Sequence, residues 1–287
     1  MKEITGCFAK CIFALIVLLS IGENGISQKW SEPLTAIQVK YKTAIIFVQS
    51  KTSKGIIQSN GCGFIINGNY IATCYHLYKS DPSDEPMQMK VLYNITQDSV
   101  YHYDSVMVDL NYEYTSNQYN FKKHEFLTND PRTDFIILKL VSPVVSAPPE
   151  IDTAAVNSGD VTYTSGYSLL HYTGTAKYDF AASALHVRYI LDMDNMGGKL
   201  IGATGTGREG FSGSPLFNTA GRIVGIIQSE INDNDSLQYY FLPLLIKGYI
   251  NQQTYNDIIG QYSYQDVHLI NSLSAEYFLK QYMQGFY

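Results

Sequence analysis

The stretch from Gly205 to Ser229, G-T-G-R-E-G-F-S-G-S-P-L-F-N-T-A-G-R-I-V-G-I-I-Q-S, constrains this chain more than any other. At its centre, Gly210-Phe211-Ser212-Gly213-Ser214-Pro215 holds a serine between two glycines and stops on a proline. Glycine admits positive φ, which lets the N–H groups of Gly210 and Ser212 converge. A nucleophilic hydroxyl needs such converging donors for the oxyanion it creates. Pro215 biases the residue before it toward extended backbone and against a continuing helix. Leu216-Phe217, a turn at Asn218–Gly221 and the run Ile223–Ile227 then read as a β-hairpin. The serine is therefore expected on a loop that leads into a buried strand. Other readings fare worse. Gly205-x-Gly207-x-x-Gly210 has the letters of a dinucleotide fingerprint, but that motif must open a helix. The nucleophile elbow of α/β-hydrolases needs glycine two places after the serine, where Ser214 stands. A plain Gly/Ser surface loop stays open on this stretch alone.

The chain has 287 residues, 45% of them apolar and 16% charged, which describes a folded protein with room for two subdomains. Its 24 tyrosines and many β-branched residues favour strands. A formal net charge of −6 with no basic run argues against a nucleic-acid partner. At the N-terminus, Lys2 and Lys10 precede an apolar run, Cys11–Leu19, followed by Ser20, Gly22, Gly25 and Ser27. That is the layout of a secretory signal peptide over residues 1–27, cut near Gln28, and the run is too short for a stable membrane span. The expected location is secreted or periplasmic. Cys62 and Cys74 then remain, and an exported pair reads equally as a disulfide or as two buried thiols. If Asn67-Gly68-Asn69 is a three-residue hairpin loop, facing residues sum to 136, as 62 and 74 do, which would allow a strained bridge.

Six short strands are expected first: Thr43–Gln49, Gly55–Ile66, Tyr70–Tyr75, Met87–Tyr93, Ser99–Leu110 and Asp134–Val141, with a polar loop at residues 111–130. Ser142–Ser158, with three prolines, reads as a linker. Strands resume at Asp160–Tyr167, His186–Met193, Lys199–Thr204, Gly221–Gln228 and Gln238–Leu242, and from Pro243 the pattern turns helical, with a second helix over Ser274–Met283. The expected organisation is a signal at 1–27, a first β-barrel at 28–142, a linker at 143–158, a second β-barrel at 159–243 and a helical tail at 244–287.

Partners for the serine lie upstream. Gly61-Cys-Gly-Phe-Ile-Ile-Asn-Gly-Asn-Tyr-Ile-Ala-Thr-Cys-Tyr-His76 ends a hairpin on a histidine, and Thr133-Asp134-Phe-Ile-Ile-Leu-Lys-Leu opens a buried strand on a carboxylate. These blocks, with Ser158–Tyr167 and G-x-S-G-S-P, resemble chymotrypsin-like (trypsin-fold) peptidases of the bacterial secreted type over roughly residues 40–248. The order His76, Asp134, Ser212 is that of chymotrypsin. The resemblance implies an all-β fold of two six-stranded antiparallel barrels and a serine endopeptidase acting on protein or peptide substrates. Ser212 would attack the carbonyl, His76 would be general base and then acid, Asp134 would orient it, and the Gly210 and Ser212 N–H groups would form the oxyanion hole. No cofactor or metal is implied. His102, His124, His171, His186 and His268 carry no such motif, and Asp130, before Pro131, reads as a turn residue. His124-Glu125 begins a zinc motif that Thr128 breaks.

The resemblance has departures. Phe211 replaces the aspartate that pairs with a freed N-terminus in digestive trypsins, which implies that this activation switch is absent. Gln228 stands where the family usually has a serine supporting the aspartate. By resemblance the specificity pocket is walled by Thr206–Glu209 and Ile227–Glu230, so Thr206, Ile227, Ser229 and Glu230 are its candidate residues. Thr206 holds the place of the trypsin aspartate. Ile227 holds the place of the histidine of glutamyl endopeptidases, so an uncharged residue before the scissile bond is expected. The alternative function is a catalytically inactive trypsin-fold binding module, but such proteins usually lose a triad member and all three are here. An esterase of another fold is disfavoured by the residue order.

Overall fold

Thr43 to Thr73 shows how the sequence makes its first sheet. Strand β1 (Ala44–Thr52) turns into β2 (Gly55–Ile66) through Gly55, whose φ is 113°, and β2 returns as β3 (Tyr70–Thr73) around Asn67 and Gly68 at φ 42° and 77°. The β2–β3 register pairs Phe64 with Ala72, Ile65 with Ile71 and Ile66 with Tyr70, the register expected of a three-residue loop. This computed structural model describes residues 42–275, apart from 80, 82, 98–100, 112–114, 117–118, 121–133, 146–148, 155, 173–174, 193–198, 206–209, 232–233 and 263–268. The signal segment 1–27, most of the 111–130 loop and nearly all of the Ser274–Met283 helix fall outside these residues. The described residues all belong to one compact unit.

After β3 a single helical turn, α1 (Tyr75–Tyr78), leads on to β4 (Glu85–Gln97), β5 (Tyr101–Met107), the short pair β6 (Thr115–Ser116) and β7 (Tyr119–Asn120), and β8 (Ile136–Lys139). The first sheet runs β5-β4-β1-β2-β3-β8. An antiparallel bridge between Val108 and Leu140, with Asp109 N–H donating to Lys139 O at 2.8 Å and Val141 N–H to Met107 O at 2.9 Å, joins its two outer strands. Ile46, Phe64, Ile66, Ile71, Met89, Val91, Phe135 and Ile137 are buried in its core.

The second sheet comprises β9 (Val161–Tyr172), β10 (Thr175–Asp192), β11 (Lys199–Thr204), β12 (Pro215–Phe217), β13 (Ile223–Ile231) and β14 (Leu269–Ser274). It closes as a barrel in the order β10-β11-β14-β13-β12-β9. From Ile223 to Gln228, β13 is buried on both faces. On β13, Val224 and Ile227 join one apolar cluster with Leu185, Leu216 and Ile270, while Ile223 and Ile226 join the other, larger one. The fold is thus all-β, built of two six-stranded antiparallel sheets in the trypsin-like double-barrel manner. A third cluster of Ile45, Cys62, Leu92 and Ile95 with Tyr167 ties the two barrels together. The segment expected to be a linker is stapled to the second barrel: Ile223 N–H donates to Glu150 O and Asp152 N–H to Ile223 O, both at 2.8 Å.

Two expectations fail after residue 231. Gln238–Leu242 is not a strand but lies within helix α2 (Asn234–Ile246), which precedes α3 (Gln252–Tyr262). Its aromatic letters suggest a strand, but the apolar spacing decides otherwise: Leu237, Phe241 and Leu244, at i, i+4 and i+7, are buried, whereas Tyr239 and Leu242 are exposed. Pro243 sits inside this helix without ending it. The sixth strand is instead β14, from the stretch expected to be tail, so the two helices are inserted between β13 and β14. No described helix is long and apolar enough to cross a membrane. A helix over 234–246 makes a distinct forecast for alanine substitutions. Leu244→Ala should destabilise by about 2–5 kcal/mol, whereas exposed Tyr239→Ala should change stability by less than about 0.5 kcal/mol. Denaturant titration of both variants measures this; a strand would put Tyr239 on the same face as Leu237 and Phe241 and make it the costly one.

Candidate functional site

His76 owes its place to a carboxylate on another strand. Cys74, at φ −74° and ψ 144°, ends the extended run, and the chain turns into α1. Such a turn leaves its first N–H groups without intrahelical partners. Asp134, just before β8, takes one of them: His76 N–H donates to its Oδ1 at 2.9 Å. The same carboxylate takes the ring, with His76 Nδ1 2.9 Å from Oδ2 and 3.1 Å from Oδ1. A carboxylate only accepts, so Nδ1 carries the proton and Nε2 is left as the acceptor. The side chains are 31% exposed for His76 and 14% for Asp134. Burial alone lowers the His76 pKa, but the Asp134 charge and hydrogen bond outweigh it, and the net shift is upward.

The Ser212 loop is held by main-chain bonds to both barrels. Cys62 N–H, on β2, donates to Ser212 O at 2.8 Å, and Gly213 N–H donates to Ile227 O at 2.8 Å. Ser214 N–H closes a tight turn on Phe211 O at 2.9 Å. Gly210 and Gly213 have φ of 95° and 84°. At Gly213 a side chain is excluded twice, because a Cβ would also strike the Cys62 carbonyl and the Thr73 hydroxyl. Among the described residues the N–H groups of Gly210 and Ser212 donate to no protein acceptor. The Ser212 hydroxyl donates to Gln228 O at 3.4 Å and makes no hydrogen bond to His76.

Cys62 and Cys74 are free thiols, so the disulfide is not formed. The hairpin register is the one that faces them, but β3 ends at Thr73 and Cys74 already belongs to the turn into α1. Each thiol points at the second barrel instead. Cys62 Sγ donates to Gly210 O at 3.2 Å and accepts Tyr167 N–H at 3.3 Å, and Cys74 Sγ donates to Ile227 O at 3.1 Å. Burial pushes the Cys62 pKa up to about 11, against the lowering effect of its contacts with Ser214 and Tyr167. Burial, then the Asp134 charge, raises Cys74 well above the ordinary thiol value. Both therefore stay protonated donors. Cys74, His76 and Asp134 offer donor atoms within 4.8 Å of one another, a set that a thiophilic cation could engage only by displacing the thiol and imidazole protons just described.

Of the four pocket candidates, Thr206 lies outside the described residues. The Ile227 side chain is buried in the apolar cluster around Leu216 and Val224, so it is a core group, and its carbonyl is what it offers to the Ser212 loop. Ser229 and Glu230 are half-buried beyond it on β13, and the Ser229 hydroxyl has no hydrogen-bond partner among the described residues. Gln228 does more than its place in the sequence indicated, since its Nε2 donates to the Asp134 main-chain carbonyl at 3.0 Å. Its only mark in the sequence is a polar residue directly after the apolar run Ile223–Ile227, where the family usually has a serine.

Comparison with known proteins agrees with the fold. The Rv3671c protease from M. tuberculosis, in its active form, superposes with a TM-score of 0.51 at 14% identity, over 88% of this chain and 83% of its own. The HtrA-type protease AlgW, solved with a decapeptide, gives a TM-score of 0.50 at 14% identity, over 88% of this chain and 66% of its own. At that identity the likeness is one of fold. No curated protein matches the chain. A protein-family model described as a trypsin-like peptidase domain matches residues 61–226, more than half of the chain, and the protein belongs to that family.

Proposed function

We propose that this trypsin-like peptidase is a secreted or periplasmic serine endopeptidase working through His76, Asp134 and Ser212. The observation that carries the proposal is the doubly held His76, whose N–H and Nδ1 both meet the Asp134 carboxylate, leaving Nε2 as the base. The 3.4 Å bond from the Ser212 hydroxyl to Gln228 O is a weak one to give up. Catalytic hydrogen bonds commonly tighten only when substrate is bound. On attack, the serine proton passes to His76 Nε2, the serine Oγ forms the acyl bond, and the imidazolium returns the proton to the leaving amine. The N–H groups of Gly210 and Ser212, unclaimed among the described residues, are the oxyanion donors, and losing one such donor costs about 3–4 kcal/mol of transition-state stabilisation. Beyond Ile226, β13 has no strand partner on its β12 side among the described residues. An extended peptide can pair along that edge beside Ser212.

Ser212→Ala should fold normally and lose about a million-fold in kcat, and Asp134→Asn should lose about ten-thousand-fold by allowing the wrong tautomer. A serine-directed phosphonate should label the wild type at Ser212. A folded wild type that resists labelling is instead the inactive binding module.

The raised His76 pKa sets a pH dependence. The base must be neutral, so the acid limb of kcat/KM should fall above the ordinary imidazole range. The stability linkage has the opposite sense: the ion pair's contribution is full below the unfolded imidazole pKa and is lost as pH rises through the folded one. A pH–rate profile with its acid limb at or below the ordinary value counts against the pair as the base and its orienter.

For specificity, Ser229 and Glu230 offer a hydroxyl and a carboxylate but no cation beside the β13 edge. An acidic side chain buried there would be uncompensated, at several kcal/mol. Small or apolar residues before the scissile bond should be cleaved best and basic ones next. The measurement is kcat/KM across peptides differing only at that residue; a preference for Glu or Asp overturns the pocket assignment.

A further inference from the structure

The β13–β14 ladder contains an irregularity beside the site. Ile227 pairs with Ser272 and Ser229 with Asn271, so β13 advances two residues while β14 advances one, and Gln228 is the extra residue of a bulge. A bulge re-aims a side chain and frees backbone groups from the ladder. Both effects are used here. Ile227 O takes the Gly213 N–H at 2.8 Å and the Cys74 thiol at 3.1 Å, and Gln228 O takes the Ser212 hydroxyl. The Gln228 side chain is only 3% exposed and crosses to the first barrel, where its Nε2 donates to the Asp134 carbonyl at 3.0 Å. The nucleophile from one barrel and the carboxylate from the other are thus referred to one residue. Asp134 precedes β8, whose ladder with β3 begins at Ile136, so the strand pairing does not fix its peptide.

We propose that Gln228 is a positioning residue: its amide holds the Asp134 main chain so that the carboxylate keeps His76 aligned toward Ser212. This rests on the serine-peptidase reading and adds to it a side chain that touches neither substrate nor the reacting atoms; only the Gln228 carbonyl meets the Ser212 hydroxyl. The support is to the peptide of Asp134, not its carboxylate, so the carboxylate oxygens remain available to the two His76 groups. Among the described residues the titratable groups facing His76 are Asp134 and the Cys74 thiol. The Gln228–Ser229 segment of β13 and the Phe211–Ser214 loop bring none. A change in His76 titration on altering Gln228 therefore reports the Asp134 contact.

The test is Gln228→Met, which keeps the length and removes the donor, with Gln228→Asn, which keeps the amide but is one methylene short. Both should lower kcat on the order of a hundredfold, the scale of a 1 Å misplacement, with KM little changed. The acid limb should move down toward the ordinary imidazole range as the Asp134 contact loosens. The same variants in a Ser212→Ala background, with His76 followed by NMR titration, read the contact without any turnover. A downward shift of the imidazole pKa there supports the strut, and an unchanged pKa in either folded variant overturns it. A wild type that is not labelled by phosphonate defeats the peptidase reading, while the imidazole titration still decides the role of Gln228.

Discussion

The Asp134 carboxylate is the contact on which the site geometry depends. It lies between a strand and a helical turn that the chain connects only through some sixty residues, and it holds both ends of the histidine. One bond, to the His76 N–H, fixes where the turn α1 begins. The other, to Nδ1, fixes the ring plane and the tautomer. Either bond alone would leave the imidazole a free rotation, because a ring held at Nδ1 can still swing with its backbone. Charge-assisted bonds of this kind are roughly twice as strong as neutral ones, which is enough to reverse the lowering of the His76 pKa by burial.

The rest of the arrangement is neutral. Phe211 is buried and packs on Gly166, Cys62 and Cys74 serve as protonated donors, and the Ser212 loop is tied by main-chain bonds to β2 and β13. Buried thiols are suited to that work, since burial raises their pKa and keeps the proton that makes the bond. They also account for the missing disulfide: each sulfur is turned toward a carbonyl of the second barrel, on Gly210 or Ile227, and not toward the other.

What the sequence made legible was local or carried by motifs. The β2–β3 register followed from a three-residue turn, and the β12–β13 hairpin from Asn218–Gly221, where the Asn218 side chain accepts N–H bonds from Ala220 and Arg222. The motif blocks brought out His76, Asp134 and the Ser212 loop because the chemistry fixes residue types at set places. Contacts across long separations were not legible. Nothing in the neighbourhood of Gln228 specifies a carbonyl 94 residues earlier, and the turn of Cys74 away from Cys62 depends on where α1 starts. The helices failed for another reason. Gln238-Tyr-Tyr-Phe-Leu has strand-like letters, and only the wider spacing from Leu237 to Leu244 gives the period of 3.6. Pro243, a residue suited to the first turn of a helix, made the helix look as if it began there, whereas it begins at Asn234.

The position of β14 follows from the same physics and bears on the site. The family match ends at residue 226, before this strand, so the motif blocks carry no information about what closes the barrel. Closure requires a strand beside both β11 and β13, and Leu269–Ser274 supplies one with Ile270 buried in one apolar cluster and Leu273 in the other. The helices between β13 and β14 do not interrupt this pairing, because the entropy cost of a longer connection rises only logarithmically with its length. They are held in turn by Phe241 and Tyr262 against Tyr189 of β10, at ring-centroid distances of 5.9 and 6.2 Å. The phenol of Tyr189 donates to Asn271 on β14 at 2.5 Å, one residue past the partner of Ile227. The helical insertion, the closing strand and the bulge beside Ser212 therefore share one packed layer. That layer lies against the strand that the one-residue bulge in β13 faces.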